Sequence, residues 1–350
     1  MKLLHKVGDL FALDIGTTAI RIVQLSHSGK ADTWTLLKYG FAPVDIKIST
    51  SDAPEDQQRL GEIVMTALGQ SGIKTRNVVV GIPSNKTFAT VVDLPKMTEQ
   101  ELKSNIRYEA EQFIPMAIDE VKLDFALLGV SPTDPGKSEV LLTSVANNYS
   151  EGRLDALESI GLNVVACEPD SIAMLRSVLP SDSKGGALVF EMGDLSTDLV
   201  VVNDTAPRLV RSIPVGFQTL VKTATQNLNI EHNQAEQFIV KFGLSPERLE
   251  GQVVKAIEGT LEQFVTEIHK SIAFFQNRYA SSPVNQIFVG GYGAAIPLFS
   301  EYIKQKTNIQ TVLSNPWQKI QMSPTDKDKL APVATQFSVA LGLAQRTHTL

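Results

Sequence analysis

Short apolar runs bounded by glycine or polar residues alternate along this chain with stretches at helical spacing. Leu10–Leu13 ends at Asp14. An Ile15-Gly16-Thr17-Thr18 turn follows, and Ala19–Leu25 returns as a second strand, with Ile20 and Ile22 alternating against Ala19 and Arg21. Thr33–Phe41 predicts a third strand. Leu60, Ile63, Val64 and Leu68 give one apolar face to a helix near Gln57–Gln70. Val78–Val80 and Phe88–Leu94 predict strands, and Thr98-x-x-Glu101 is a capping box. Leu102, Ile106 and Phe113 keep helical spacing until Pro115. Val121–Leu128 and Glu139–Ala146 predict a hairpin, which completes a β-β-α-β-β unit over 77–147 that reads as an inserted subdomain.

Beyond it the pattern predicts a helix at Glu151–Ile160, a strand at Val164–Cys167 and a helix at Asp170–Leu179. Ala187–Phe190 and Asp198–Val202 then flank Glu191-Met-Gly193-Asp194-Leu-Ser196-Thr197. This is the opening device again: strand, acid, x-Gly, small hydroxyls, strand. A repeat at such distance implies two related half-domains facing each other. Helices are predicted at Phe217–Leu228 and Asn233–Phe242. A longer one spans Gly251–Tyr279, its stripe running from Val254 through Leu261, Phe264 and Ile268 to Phe275. The stripe suits a buried helix better than a coiled coil, because it covers few heptads and contains Gly259. Gln286–Val289 predicts a strand entering Gly290-Gly291-Tyr292-Gly293, and Pro297 suits the first turn of a helix at Leu298–Thr307.

Composition narrows this picture. The 350 residues suffice for two or more domains, and a net charge of −6 gives no general attraction for nucleic acid or anionic lipid. No apolar run reaches the roughly 18 residues of a membrane span, and Met1–Leu13 lacks a signal-peptide core. The expectation is a cytosolic chain unless something else recruits it. The single cysteine, Cys167, excludes an intrachain disulfide; Val164, Val165 and Ala166 before it predict a buried thiol. His5, His27, His232, His269 and His348 lack ligand spacing, and no P-loop, Rossmann or serine-nucleophile motif occurs.

Candidate chemistry therefore concentrates in the turns. Short, small-sided turns let backbone amides converge on an anion, and Thr17 and Thr18 add hydroxyls. Asp14 would repel a bare phosphate but suits one bridged by Mg²⁺ through water. The alternative for this segment alone is a hairpin with a polar tip. The Gly290–Gly293 turn would let backbone approach a flat ligand.

Two acidic-Gly-hydroxyl hairpins followed by a Gly-Gly-x-Gly turn resemble the actin-like ATPase superfamily. So do Glu168-Pro169-Asp170 and the pair Ala235-Glu236-Gln237 and Lys241-Phe242-Gly243, the latter similar to FtsA. Asp93–Leu102, Ile106–Pro115, Asp119-Glu120-Val121 and Glu267–Ser271 resemble the PilM family of type IV pilus assembly within it. The resemblance implies an α/β actin-like ATPase fold, with two related lobes around a nucleotide cleft and a small inserted α+β subdomain. The first lobe would take 1–76, 148–183 and 325–350, and the insert 77–147. The second would take a core of 184–215 and 281–324, with a helical subdomain at 216–280.

It further implies ATP and Mg²⁺ as ligands. Asp14 would be the Mg²⁺-water carboxylate, with Gly16, Thr17, Thr18 and the basic Arg21 at the first phosphate turn. Gly193, Ser196 and Thr197 would form the second turn, with Glu191 as a further metal carboxylate where relatives have Asp. Glu236 would contact the ribose, Gly290, Gly291 and Gly293 the adenosine, and Glu168 would position water, or else only cap a helix N-terminus. Asp194 and Leu195 replace glycines of the second turn, which disfavours turnover more than binding, so the chain is at most a slow ATPase. The implied function is a cytoplasmic ATP-binding scaffold that switches conformation with nucleotide. It would be recruited to the inner membrane by the N-terminal tail of PilN, with other pilus assembly proteins and copies of itself as further implied partners. An FtsA-like polymerising ATPase and a small-molecule kinase are the alternatives. Leu341–Leu350 lacks the basic amphipathic tether the former needs, and no further catalytic Asp marks the latter.

Overall fold

A computed structural model describes residues 9–27 and 32–346; the readings made on Met1–Gly8, His5 included, and on 347–350 with His348 lie outside it. The described strands run, in chain order, as β1 (Phe11–Ile15), β2 (Ala19–His27), β3 (Trp34–Pro43), β4 (Asn77–Ile82), β5 (Thr87–Pro95), β6 (Val121–Val130) and β7 (Lys137–Ala146). They continue as β8 (Asn163–Pro169), β9 (Gly186–Met192), β10 (Thr197–Asn203), β11 (Ala206–Ile213), β12 (Val284–Gly291), β13 (Gln310–Leu313) and β14 (Ile320–Gln321). The chain divides into two compact units: 1–86 with 147–178 and 316–350, and 87–146 with 179–315.

The first unit is built on a six-stranded sheet of order β14-β3-β2-β1-β4-β8. β1 runs antiparallel to β2 and parallel to β4, so it is central and apolar on both faces. Phe11, Leu13, Ile20 and Ile22 pack on Leu60 and Val64 of the helix Pro54–Ser71, while Ala12 and Val23 meet Phe337 and Leu341 on the other face. The sequence assigned β4 to the insert. It is instead a full member of this sheet, parallel to both β1 and β8, and the apolar run NVVVGI fits such a doubly covered place. Residues 316–324, expected in the second lobe, also belong here: Trp317 and Ile320 pack with Trp34, and β14 pairs with β3.

The second unit carries two sheets. One has the order β11-β10-β9-β12-β13, with β9, β12 and β13 parallel and β10 antiparallel. Its core is dominated by the helix Gln252–Arg278, which buries Val253, Ile257, Leu261, Phe264, Ile268 and Phe275. That is the buried-helix reading rather than a coiled coil. β11 was missed in the sequence because Arg208 and Arg211 interrupt its apolar pattern. Both are paired, with Glu139 and Glu267 respectively.

The other sheet, β5-β7-β6, is covered by the helix Glu99–Ala110, whose capping box forms as expected: Thr98 N–H donates to Glu101 at 2.8 Å and Glu101 N–H to Thr98 at 3.3 Å. The insert is therefore 87–146 and groups with 179–315. One cause is Glu139 on β7, 1% exposed, which accepts from Arg208 at 2.6 Å, from Arg278 at 3.0 and 3.1 Å, and from the Tyr279 hydroxyl. Arg278 also reaches Asp93 on β5 at 2.5 Å. A buried carboxylate so surrounded favours one arrangement of the insert, since losing either arginine would weaken the match to its charge.

Candidate functional site

The first turn is closed by the Gly16 N–H donating to the Ala19 carbonyl at 3.0 Å. The antiparallel register of β1 and β2 places Arg21 directly opposite Asp14. Its Nη1 lies 3.3 Å from Asp14 Oδ2, its Nη2 3.0 Å from Gln336 Oε1, and its guanidinium carbon 5.8 Å from the Phe41 ring centre. Asp14 is 4% exposed, and burial pushes its carboxyl above the ordinary value even with Arg21 pulling the other way. A Cβ at 16 would lie 2.6 Å from Arg21 Nη1 and 3.0 Å from the Ala19 carbonyl, so a larger residue there must displace the guanidinium. The loop after it is anchored at its carbonyls. Thr17 accepts from the Ser49 hydroxyl at 2.5 Å and Thr18 from the Val44 N–H at 2.9 Å.

The second turn closes in the same way, Gly193 N–H to the Ser196 carbonyl at 2.9 Å. Here the residue opposite Glu191 is Asp198. The carbonyls of Gly193 and Asp194 accept, each at 2.9 Å, from Phe217 and Gln218 at the start of the helix Phe217–Leu228, so that helix sets the turn's orientation. Thr197, expected at the second phosphate turn, has its hydroxyl engaged elsewhere. It is fully buried, and its hydroxyl donates to the Val215 carbonyl at 2.7 Å, which holds the segment leading to that helix.

β12 ends beside the second turn, its Gly290 and Gly291 in register with Glu191 and Met192 of β9. Gly291 has φ +60°, and a Cβ there would collide with the Met192 carbonyl and sit 3.0 Å from Glu191 Cγ. A Cβ on Gly290 would sit 2.9 Å from Ser314 Oγ and 3.5 Å from Glu191 Oε2. Gly291 is thus required by its backbone conformation and the Met192 carbonyl, and Gly290 leaves room for the Ser314 hydroxyl. The Tyr292 ring stacks on Phe217 at 4.5 Å and 5°. The helix His232–Phe242, which carries Glu236, is tied to the same region by Leu244 N–H donating to the Pro297 carbonyl at 2.9 Å. Pro297 itself precedes the following helix, which begins at Phe299 behind a left-handed Leu298 at φ +61°. Glu191, Gly193, Gly290, Gly291 and Gly293 are brought to one end of one sheet, and Asp14, Gly16, Thr17, Thr18 and Arg21 to one turn of the other unit.

Glu168, expected to position water or else to cap a helix N-terminus, is engaged by arginines. It ends β8 at 7% exposure with both oxygens taken by Arg176, at 2.7 and 2.5 Å, and Arg346 stands 3.6 Å away. A bidentate pair of this kind fixes the carboxylate and takes one acceptor site on each oxygen. Cys167 beside it is exposed, not buried, because β8 is an edge strand. Among the described residues no group of three or more His, Cys, Asp or Glu could hold a metal, and no helix is long and apolar enough to cross a membrane. Two groups escaped sequence reasoning: Gln336, and Ser314, whose buried hydroxyl has no partner beside Gly290. No local motif marks either one.

The residues fit a magnesium nucleotide in two respects. A buried carboxylate whose ionisation is disfavoured gains from an added cation. The buried, unpartnered Ser314 hydroxyl, beside Gly290, is a donor left over for a ligand group. Solved structures share the fold. MreB 5 of Spiroplasma citri bound to AMPPNP is similar at TM-score 0.54 and 11% identity, with 96% of this chain and 95% of that one covered. The ethanolamine utilization protein EutJ from Carboxydothermus hydrogenoformans is similar at 0.53 and 14%, with 95% and 88% covered. The fold is that of the actin-like ATPases.

A structure titled PilM-PilN type IV pilus biogenesis complex is similar at TM-score 0.81 and 23% identity, with 96% of this chain and 97% of that one covered. The family model for type IV pilus assembly protein PilM matches residues 12–348. The chain belongs to the PilM family.

Proposed function

We propose that this chain is an ATP-binding scaffold of type IV pilus assembly. In this reading the Gly16 and Gly193 turns take the phosphates of ATP·Mg²⁺. Asp14 and Glu191 hold the metal, directly or through water, and the Gly290–Gly293 turn with Glu236 takes the adenosine. The observation that carries it is the repeated closure, a glycine N–H on the carbonyl three residues ahead with a carboxylate two residues behind, at 3.0 and 2.9 Å in the two turns. Bound Mg²⁺ would supply positive charge against the phosphates. The chain's own residues orient the ligand and lend it donors. Turnover is disfavoured, because Asp194 is buried at the second turn and Glu168 is held by Arg176. Membership in the PilM family and likeness to the PilM-PilN complex support the N-terminal tail of a PilN-like inner-membrane protein as partner, and through it recruitment to the membrane. Nucleotide and tail would be coupled through a conformation both prefer.

Calorimetry tests each part. ATP with Mg²⁺ should bind the wild-type chain, and Glu191→Ala and Asp14→Ala should each lose it; an unchanged affinity in both variants would refute the placement. Gly291→Arg is a poor test, because the collision with Met192 unsettles the sheet regardless of ligand. Tail-peptide affinity should differ with and without ATP·Mg²⁺, and equal values would remove the coupling while leaving the scaffold.

A further inference from the structure

Arg21 sits beneath the Gly16 turn, yet its guanidinium is loosely held there. Nη1 reaches Asp14 at 3.3 Å and the Ala19 carbonyl at 3.4 Å, both long for a charge-assisted bond. Nε has no acceptor, although the residue is only 9% exposed. The single bond of ordinary length runs from Nη2 to Gln336 Oε1, 3.0 Å away and 315 positions along the chain.

Gln336 is held in turn by its neighbour. Phe337 is fully buried, 5.5 Å from the Trp317 ring and 6.5 Å from the Phe41 ring over which the guanidinium lies. The segment Ala331–Phe337 therefore supplies the acceptor for Arg21 and a ring beside Phe41, over which the guanidinium lies.

Electrostatics alone would give another arrangement. A buried carboxylate and a guanidinium this close favour a fork-to-fork pair, with two short parallel bonds. In that geometry both Asp14 oxygens would be spent on Arg21. The bond to Gln336 holds the guanidinium off that geometry.

We propose that Gln336 is a positioning residue for phosphate recognition, which keeps the Arg21 donors turned toward a phosphate at the Gly16 turn and leaves Asp14 to a cation. The proposal rests on the nucleotide reading above. Its ligand is the polyphosphate; adenosine alone makes no demand on it.

The test is calorimetry on the full chain with ATP·Mg²⁺ and, separately, with adenosine, comparing wild type, Gln336→Leu and the milder Gln336→Asn. Thermal melting checks that each variant is folded. Loss of one bond to a charged group predicts ATP binding weakened about tenfold in Gln336→Leu, and less in Gln336→Asn, with adenosine affinity unchanged. The Mg²⁺ concentration needed for half-maximal ATP binding should rise in step, as Arg21 settles on Asp14. A variant that weakens ATP and adenosine equally, or neither, would overturn this role for Gln336 while leaving the nucleotide reading intact. Failure of the wild-type chain to bind ATP would overturn both.

Discussion

The two turns share a backbone frame and differ in charge. Each closes through a glycine N–H, and each sets the carboxylate two residues before that glycine opposite the residue five after it. In the first turn that residue is Arg21, so the device carries its own counter-ion. In the second it is Asp198, so two carboxylates share one rung, a pairing unfavourable in itself. The frame is therefore separable from its electrostatics. At the first turn an added cation must compete with Arg21.

Removing one charge from the first turn should have the largest effect. Arg21→Gln leaves Asp14 buried without its partner, and urea unfolding should show a loss of about 3 kcal/mol, the lower end for breaking a buried pair because Asp14 can protonate. A loss below about 1 kcal/mol, the range of surface pairs, would mean that the pair does not neutralise the turn. Next comes the comparison of glycines. Gly16→Ala drives a Cβ into Arg21 and should cost about 1–3 kcal/mol, while at Gly193 the Cβ meets only the Ser196 carbonyl at 3.0 Å and the cost should be smaller. Equal costs would show that Arg21 yields freely.

Asp198→Asn removes the like-charge rung and should leave stability unchanged or raise it by up to about 1 kcal/mol, opposite in sign to Arg21→Gln. A clear loss would mean that the rung is not where repulsion acts. The smallest effect is in pH. Asp14 holds its proton more tightly folded than unfolded, so its contribution to stability falls as pH rises from 3.8 toward its higher native value. Asp93 runs the other way. Burial alone would raise it, but Arg278, Ser131 and Thr133 hold it low, so its contribution is present above 3.8 and lost as pH falls toward its native value. Unfolding midpoints of Asp14→Asn and Asp93→Asn against wild type across acid pH should diverge in opposite directions; parallel curves would contradict both assignments.

Much of this was legible in the chain because it is local. The hairpins around Gly16 and Gly193, the capping box at Thr98 and the stripe of Gln252–Arg278 announce themselves within a few residues of sequence. What escaped is long-range or charged. β4 pairs with β8, whose start is 86 positions on, so the pattern alone could not say which sheet takes it. β11 hid behind arginines whose partners, Glu139 and Glu267, lie far along the chain. Glu168 looked available because Arg176 is a helix away, and Thr197 looked like a ligand hydroxyl because nothing nearby foretells its bond to Val215. Gln336 was invisible for the same reason.

Glu139 carries a consequence for anyone who would handle the insert as a cassette. Its donors, Arg208, Arg278 and Tyr279, all come from outside 87–146, so the excised segment would expose an acid whose cations stayed behind. A graft of these residues onto another scaffold would have to bring two arginines and a tyrosine with it.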